Sequence, residues 1–208
     1  MINTVAVPGL LKGKHLLIFD FDGTLADTSP LHAQAFEKLL EPHGVVVNYP
    51  SIAGMKTSDA MRKCLLTADI VLPNAEIDKL TLAKQSYVRE LIRQQLLPLP
   101  GVEAFLKWTR SRYRLALYSS GSRGTVELSL EKLGFSGWFD PMLCAEDVNM
   151  AKPAPEGFKK ILQITKLSTD SAIVFEDSET GILAATRAEI EVVDVRPPFS
   201  FTSLMALP

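Results

Sequence analysis

The chain has 208 residues, of which 47% are hydrophobic, 22% charged and 8% aromatic, and its formal net charge is −2. These values are those of an ordinary globular protein. They exclude wholesale disorder, a collagen-like repeat and a disulfide-rich scaffold. The near-neutral charge gives no reason to expect binding to nucleic acid or to an anionic membrane. Any anion that binds here needs a local arrangement of donors.

Cys64 and Cys144 are far apart in the sequence and match no metal-binding or redox spacing. We expect both to be reduced thiols. The apolar runs are shorter than the ~18 residues that a membrane helix needs. Lys12 and Lys14 follow the apolar residues 5–8 instead of preceding them, which is the reverse of a signal peptide. We therefore expect a cytoplasmic protein.

Four short apolar runs without polar alternation predict strands that are buried on both faces: residues 16–21, 115–118, 172–175 and 192–195. Segments with helical spacing lie between the later runs. One ends at Gly134, a typical residue beyond a helix end, another follows Pro155, and a third follows Ser178, a typical N-cap. The alternation predicts a doubly wound, Rossmann-like α/β core with a parallel sheet.

Residues 28–97 break this alternation, because they contain helical patterns and no convincing strand. Ser29 and Pro30 predict an N-cap followed by the first helical residue, and residues 58–66 and 77–96 are also helix-like. The Pro-rich segment 97–101 indicates a linker. We predict an all-α helical cap over 28–97, inserted into a discontinuous core of residues 1–27 and 98–208.

Acidic residues follow two of the predicted strands. Asp20 and Asp22 end the first run, and alternate side chains of an extended chain share a face, so both are expected to project from the carboxyl end of the strand. Ligands of open α/β sheets bind at that edge, and paired carboxylates suit a hard cation such as Mg²⁺. Glu176 and Asp177 follow the third run and would repel each other without a nearby cation. Taken singly, each motif is also typical of an acidic turn or helix start.

Two further motifs supply groups for an anion. Ser119 and Ser120 follow the second run, where hydroxyls and backbone N–H groups can hold phosphate oxygens. Lys152 precedes Pro153, which keeps the lysine backbone out of the helical conformation, so its side chain can point into the same cleft. Taken singly, an ordinary Ser-Gly loop and a solvated lysine are the simpler interpretations. Together, the four motifs combine acids for a metal with Ser and Lys for an anion.

This ordered set resembles the haloacid dehalogenase superfamily, in the phosphatase-like branch with a helical cap. That branch includes phosphoglycolate phosphatase, small sugar-phosphate phosphatases and β-phosphoglucomutase. The resemblance rests on Asp-x-Asp-Gly-Thr from Asp20, the serine after the second strand, Lys152-Pro153 and Glu176-Asp177, and it covers residues 15 to 196.

The resemblance implies that Asp20 is a nucleophile that forms an aspartyl-phosphate. Asp22 resembles the general acid and base, and Ser119, Ser120 and Lys152 resemble the groups that hold the transferring phosphoryl oxygens. Thr24 is expected beside them, supporting Asp22 or the turn.

The implied cofactor is Mg²⁺. Its expected ligands are the carboxylate of Asp20, the backbone carbonyl of Asp22 and the carboxylate of Asp177, with Glu176 acting through water.

In the cap, the resemblance points to His32, Lys56 and Thr57 as substrate-binding candidates, with Lys84 as a weaker one. For His32 the favoured alternative is a helix-packing or surface residue, and for Lys56 and Thr57 a solvated loop is equally consistent. Lys84 lies in a charged helical segment, so a solvated side chain is the favoured interpretation.

The implied function is that of a Mg²⁺-dependent phosphatase for a small phosphorylated metabolite, most of all a sugar or sugar-alcohol phosphate. The expected protein is a monomer or weak homodimer with no nucleic-acid or membrane partner. A β-phosphoglucomutase-like mutase, a phosphoglycolate phosphatase and a catalytically silent binding module are the alternatives. Thr24 after Asp-Gly favours the phosphatase. A true dehalogenase is not expected, because it would have no use for Asp22 as an acid.

Two features depart from the family pattern. Many relatives have Ala-Gly where this chain has Ala188-Glu189, so the end of that helix is expected to differ. The apolar tail 199–207 is expected either to pack on the core or to meet a partner.

Overall fold

The computed structural model describes residues 9–53 and 55–205. The chain divides into two compact units: one contains the residues up to Asp27 and those from Leu97 onward, and the other is Thr28–Leu96. That these units act as the core and cap of an enzyme stays a prediction. The segment 5–8, on which the leader expectation depends, and the last residues of the tail lie outside the described residues.

The first unit contains a parallel sheet with the strands β1 (Leu16–Phe19), β2 (Arg114–Tyr118), β3 (Met142–Leu143), β4 (Ala172–Glu176) and β5 (Glu191–Asp194). Their order is β3-β2-β1-β4-β5. All residues of β1 and β4 are buried, which explains why these runs lack polar alternation. The sequence pattern does not predict β3, because two residues are too few to show a period.

The helices of the described residues are α1 (Ser29–Leu40), α2 (Thr57–Leu66), α3 (Asn74–Gln95), α4 (Val102–Thr109), α5 (Arg123–Leu133), α6 (Glu156–Thr165), α7 (Glu179–Arg187) and α8 (Phe201–Met205). As predicted, Gly134 ends α5 in the left-handed conformation, with φ 75°. Ser178 caps α7, and its Oγ accepts the backbone N–H of Gly181 at 3.0 Å. The pattern does not predict α4.

Helices cover both faces of the sheet, because alternate side chains of a strand point to opposite sides. On one face, Ile18 of β1 belongs to a buried cluster with Phe158 of α6. On the other face, Phe19 meets Phe105 of α4 edge to face at 6.2 Å, and Phe201 of α8 lies 5.1 Å from Phe105. The fold class is the predicted doubly wound α/β core.

The second unit is helical, and its described residues contain no strand. Its buried cluster includes Phe36 of α1, Met61 of α2 and Ile77 of α3. The predicted cap of α1 is wrong by one residue, since Thr28 holds the N-cap position and Ser29 is already helical. The following proline is tolerated there because the first-turn N–H groups have no partner within the helix.

The two departures from the family pattern have structural outcomes. Helix α7 ends at Arg187, and Glu189 adopts φ 60°. That left-handed conformation costs a residue with a Cβ about 1–2 kcal/mol and costs glycine almost nothing. The described part of the tail packs on its own unit, where Phe201 and Leu204 are buried.

The thiols of Cys64 and Cys144 are free and buried. Burial raises the pKa of the Cys144 thiol to about 11, so this residue is a thiol at neutral pH. In the described part of the chain, no helix combines the length and the apolar character that crossing a membrane requires.

Candidate active site

The carboxyl ends of three neighbouring strands carry the core residues that the motifs single out. β1 pairs in parallel with β2 on one side and with β4 on the other. Asp20 follows β1, Ser119 follows β2, and Glu176 is the last residue of β4, with Asp177 directly after it. Because parallel strands end at the same edge, the sheet brings these side chains to one place.

Lys152 links two of these acids. Its Nζ donates to Oδ1 of Asp20 at 2.6 Å and to Oε2 of Glu176 at 2.7 Å. A third hydrogen bond, of 3.1 Å, goes to the backbone carbonyl of Tyr118. The lysine side chain is only 3% exposed, so the charged Nζ is surrounded by these polar groups and not by water. Since an ammonium has three protons, these acceptors account for all of its donors.

Charge within this buried group alters the pKa of Lys152 and of Asp20. Burial would lower the pKa of Lys152, but the carboxylates of Asp20 and Glu176 raise it above its ordinary value. Burial raises the pKa of Asp20 well above its ordinary value, and the positive charge of Lys152 opposes that shift. Lys152 is therefore a permanent cation that offsets part of the cost of burying the acids.

Asp177 contacts the turn that follows Asp20. Oγ1 of Thr24 donates to Oδ1 of Asp177 at 3.3 Å, and Thr24 is fully buried. Gly23 has φ 81°, and a Cβ at this position would overlap the Asp177 carboxylate, so the turn needs glycine for both conformation and space. Burial, followed by the charge of Glu176, raises the pKa of Asp177 to about 6. The structure thus gives Thr24 a contact with a candidate metal ligand.

The start of α7 orients Glu176. Both the Oγ and the backbone N–H of Ser178 donate to Oε1 of Glu176, at 2.7 and 3.1 Å. The other carboxylate oxygen accepts from Lys152. A Cβ at Gly181 would overlap this carboxylate, so the glycine provides the space for it. Both oxygens of Glu176 are therefore held in place.

Three acids form a group that fits a metal ion. One carboxylate oxygen from each of Asp20, Glu176 and Asp177 lies within 4.8 Å of the others. The donor set consists of oxygen, which Mg²⁺ and other hard divalent cations prefer. Because Asp20 and Glu176 share the one ammonium of Lys152 and Asp177 has no ion pair with it, a further positive charge would reduce the repulsion among the three acids. The donor chemistry of these residues thus fits a divalent cation of this class.

Asp22 lies in a different environment from Asp20. The predicted first strand is too long, because β1 ends at Phe19 and the chain then turns, with the N–H of Leu25 donating to the carbonyl of Phe21 at 2.8 Å. Asp20 still pairs with the neighbouring strand through its backbone N–H, whereas Asp22 lies beyond the strand, at the turn. Asp20 is buried, whereas Asp22 is exposed.

The serines after β2 also differ from each other. Ser119 is buried, and its Oγ accepts the backbone N–H of Gly121 at 3.0 Å. Ser120 is exposed. The carbonyl of Gly121 accepts the N–H of Ala145 at 3.0 Å. These bonds hold the loop that positions Ser119.

The other predicted substrate-binding residues belong to the helical unit. Lys56 is exposed and occupies the N-cap position of α2, and Thr57 is the first residue of that helix. His32 is half-buried in α1. A substrate contact of these residues stays a prediction.

Lys84 corrects an expectation, since the solvated side chain favoured above is wrong. It is 1% exposed, its Nζ lies 3.0 Å from Nδ1 of His32, and it lies 4.6 Å from the ring centre of Phe36. Burial lowers the pKa of Lys84 to about 8, and burial with the charge of Lys84 lowers the pKa of His32 to about 3. His32 is therefore neutral and accepts from the ammonium. A signal exists in the sequence, because Lys84 continues the buried stripe of Ile77 and Val88 on α3.

Comparison with known proteins adds a family to this geometry. A family model described as haloacid dehalogenase-like hydrolase matches residues 17–195. Fructose-1-phosphate phosphatase YqaB of Escherichia coli is 32% identical over 182 residues, which are 86% of this chain and 95% of that protein. Phosphorylated carbohydrates phosphatase of Thermotoga maritima is 30% identical over 181 residues, which are 84% of this chain and 82% of that protein.

A solved structure extends the likeness to three dimensions. The crystal structure of β-phosphoglucomutase from Clostridium difficile superposes with a TM-score of 0.71 at 26% identity, over 87% of this chain and 84% of that one. The matched region includes residues of both compact units of this chain.

Proposed function

Because the chain belongs to the family of haloacid dehalogenase-like hydrolases, we propose that it hydrolyses a small phosphorylated metabolite, a sugar or sugar-alcohol phosphate, through an aspartyl-phosphate on Asp20. The observation that carries the proposal is the buried contact of Asp20 with Lys152, beside the acids Glu176 and Asp177. A carboxylate that attacks a phosphate dianion meets strong repulsion, and a fixed cation with metal ligands offsets it. Relatives named for fructose 1-phosphate and phosphorylated carbohydrates support the substrate class.

Two displacements at phosphorus make up the proposed reaction. A carboxylate oxygen of Asp20 bonds to phosphorus while the bond from phosphorus to the sugar oxygen breaks, and Asp22 donates a proton to that leaving oxygen. Water then attacks the aspartyl-phosphate, Asp22 accepts a proton from it, and inorganic phosphate leaves Asp20. The exposure of Asp22 supports its part in giving a proton to the leaving oxygen and taking one from water. The contact with Lys152 supports the part of Asp20 as nucleophile, because the positive charge favours the carboxylate form.

Other residues hold the charges in this scheme. Lys152 and Ser119 bind the phosphoryl oxygens, together with the backbone N–H of Ser120. Lys152 is held by hydrogen bonds before substrate arrives, and because its three protons are already used, one of them exchanges its acceptor for a phosphoryl oxygen when substrate binds.

Asp20, Asp177 and the backbone carbonyl of Asp22 would hold Mg²⁺, with Glu176 acting through water. Bound Mg²⁺ supplies neutralisation of the phosphoryl charge.

The helical unit supplies substrate selectivity in this proposal. Its candidates are His32, Lys56 and Thr57, and Lys84 acts through His32. Since His32 is neutral and accepts from Lys84 at Nδ1, its Nε2 carries the proton and is a hydrogen-bond donor. A donor of this kind suits a hydroxyl-rich or phosphorylated substrate.

We also propose that the protein acts in the cytoplasm on a free metabolite, as a monomer or weak homodimer, and not on nucleic acid or membranes. Two free, buried thiols and a net charge of −2 support this environment. Light scattering after size-exclusion chromatography measures the oligomeric state, and a stable tetramer would contradict the proposal.

Phosphate release from a panel of sugar phosphates, sugar-alcohol phosphates, phosphoglycolate and nucleotides, with Mg²⁺ or with a chelator, tests the function. We expect Mg²⁺-dependent release concentrated on one or a few sugar or sugar-alcohol phosphates. Phosphate release from phosphoglycolate alone would show that the substrate is not a sugar or sugar-alcohol phosphate, and it would leave the proposed mechanism unchanged. The absence of release from every ester would overturn the phosphatase.

Asp20→Asn tests the covalent step. The amide keeps the shape of the side chain but removes the nucleophilic charge, so kcat is expected to fall by at least about 10³-fold. Circular dichroism and cooperative unfolding report whether the variant is folded. Asp78→Asn, at an exposed position of α3, is the matched control and should retain wild-type turnover. Substantial turnover in a folded Asp20→Asn variant would contradict the assignment.

A β-phosphoglucomutase-like reaction is the second candidate, supported by the likeness to the solved mutase structure. Such an enzyme shares the core chemistry but must protect its aspartyl-phosphate from water. Conversion of β-glucose 1-phosphate to glucose 6-phosphate without phosphate release would favour the mutase over the phosphatase.

A further inference from the structure

An aromatic ring lies against the ammonium of Lys152. Nζ is 4.8 Å from the ring centre of Tyr118 and 5.7 Å from that of Phe158. The two rings pack edge to face, with centres 5.1 Å apart and planes at 88°. Both residues are fully buried. A cation within about 6 Å of an aromatic face is attracted by the negative charge of that face, most strongly where water is excluded.

Tyr118 contacts Lys152 through two separate parts of the residue. Its backbone carbonyl accepts a hydrogen bond from Nζ at 3.1 Å, and its ring lies against the same ammonium. The three protons of the ammonium are used by Asp20, Glu176 and this carbonyl, so the ring adds attraction without requiring a further donor. Since the carbonyl persists in every variant, a side-chain substitution isolates the effect of the ring.

Gly157 provides the space that the ring occupies. A Cβ at Gly157 would overlap Cζ and both Cε atoms of the Tyr118 ring, closer than carbon atoms approach one another. Gly157 is buried in the first turn of α6, next to Phe158. It takes no positive φ, so the requirement for glycine here is one of space. The start of α6 and the end of β2 therefore fit together beside Lys152.

We propose that Tyr118 is a positioning residue for Lys152: its ring holds the ammonium where the phosphoryl group is bound, and Gly157 gives the ring its place. This inference rests on the proposed function, in which Lys152 binds the phosphoryl oxygens. The attraction comes from the ring face, so phenylalanine at position 118 serves equally well and an aliphatic side chain does not.

Steady-state kinetics of Tyr118→Phe and Tyr118→Leu test the proposal, on the ester that the wild type hydrolyses fastest. We expect Tyr118→Phe to keep kcat within about two-fold, and Tyr118→Leu to lower it about ten-fold, which corresponds to about 1.4 kcal/mol. The main loss is expected in kcat, because the phosphoryl charge that Lys152 meets is largest in the transition state. Equal kcat values in the two variants would overturn the proposal.

Phe135→Leu is the matched control for loss of a buried aromatic ring. Phe135 is also fully buried in the same unit, and its ring packs on Trp138 at 5.0 Å. This variant should lose stability through its cavity and keep kcat. A ten-fold loss of kcat in Phe135→Leu as well would show a general loosening of the core and would overturn the specific role of Tyr118.

An NMR measurement separates this inference from the proposed function, because it requires no turnover. With ¹³C-labelled lysine, the Hε protons of Lys152, assigned through the signal lost in Lys152→Arg, which keeps the positive charge, should be shifted upfield by the ring. We expect this upfield shift in the wild type and in Tyr118→Phe, and we expect a smaller shift in Tyr118→Leu. A shift unchanged in Tyr118→Leu would overturn the positioning role. If the expected shifts were observed but the protein hydrolysed no phosphate ester, the contact between Tyr118 and Lys152 would be confirmed and the proposed function would be wrong.

Gly157→Ala in two backgrounds tests the place of the ring. In the wild type the added Cβ should displace Tyr118 and lower kcat about as much as Tyr118→Leu does. In the Tyr118→Leu background the same change should add little, because the ring is gone. If the fold-losses in kcat of the two single variants multiplied to give that of the double variant, the two changes would act independently, and the role of Gly157 would be contradicted.

Discussion

The side chains of Lys152 and Lys84 are both withdrawn from water, but their neighbours differ in charge. Lys152 lies in the first unit between the carboxylates of Asp20 and Glu176. Lys84 lies in the helical unit beside a neutral His32 and the ring of Phe36. Carboxylates raise the pKa of Lys152, whereas burial lowers the pKa of Lys84 to about 8.

This difference shows that burial alone does not decide what a lysine does to a fold. The charge of Lys152 compensates two acids that would otherwise be buried without a counter-ion. The charge of Lys84 has no such compensation, so the helical unit is less stable for carrying it. A lysine kept at such a cost indicates a functional site more strongly than an exposed one does.

The largest expected effect is that of Lys152→Met on stability. The substitution leaves Asp20 and Glu176 buried without their cation, and breaking a buried pair in this way typically costs about 3–5 kcal/mol. Urea denaturation at pH 7 without divalent metal measures the free energy of unfolding. Lys84→Met is the companion variant, for which no loss is expected. An unchanged stability of Lys152→Met would remove the distinction between the two lysines.

An intermediate effect is expected in the pH dependence that Lys84 contributes. Between its folded pKa of about 8 and its ordinary value of 10.5, the unfolded chain binds more protons than the folded one, so stability rises with pH. From pH 7 to pH 9.5 this contribution amounts to about 2 kcal/mol. It should appear as the difference between wild type and Lys84→Met in urea denaturation at both pH values. A difference that stays constant with pH would contradict the lowered pKa.

The smallest expected effect is that of Lys79→Met, which removes an exposed lysine from the same helix. Lys79 pairs with Glu76 at 2.8 Å, but its side chain is 72% exposed. Exposed pairs of this kind contribute little, because water screens them and both side chains lose freedom. The urea midpoint is expected to match that of the wild type. If Lys79→Met changed the urea midpoint as much as Lys84→Met does, the effect would come from any substitution in α3 and not from burial of the lysine charge.

The positions of the acids could be predicted from the sequence, and their environments could not. Asp20 and Glu176 each stand where an apolar run ends, and parallel strands end at a common edge, so their convergence follows from the fold class. The burial of Asp20 and the exposure of Asp22 depend on a turn that begins before the second aspartate. Tyr118 gives no signal in the sequence, because an aromatic residue in a buried strand is ordinary.

The sequence by itself determined the elements that depend on near neighbours. The apolar runs, the cap of α7 at Ser178 and the end of α5 at Gly134 all follow from interactions within a few positions. Only the tertiary structure decided which charges are buried together. Lys152 and Asp20 stand 132 positions apart in the chain and share a hydrogen bond, and Lys84 meets His32 across 52 positions. At such separations the number of intervening residues does not determine how far apart two side chains lie in space. The packing of whole helices and strands determines which groups surround each lysine, and therefore its pKa.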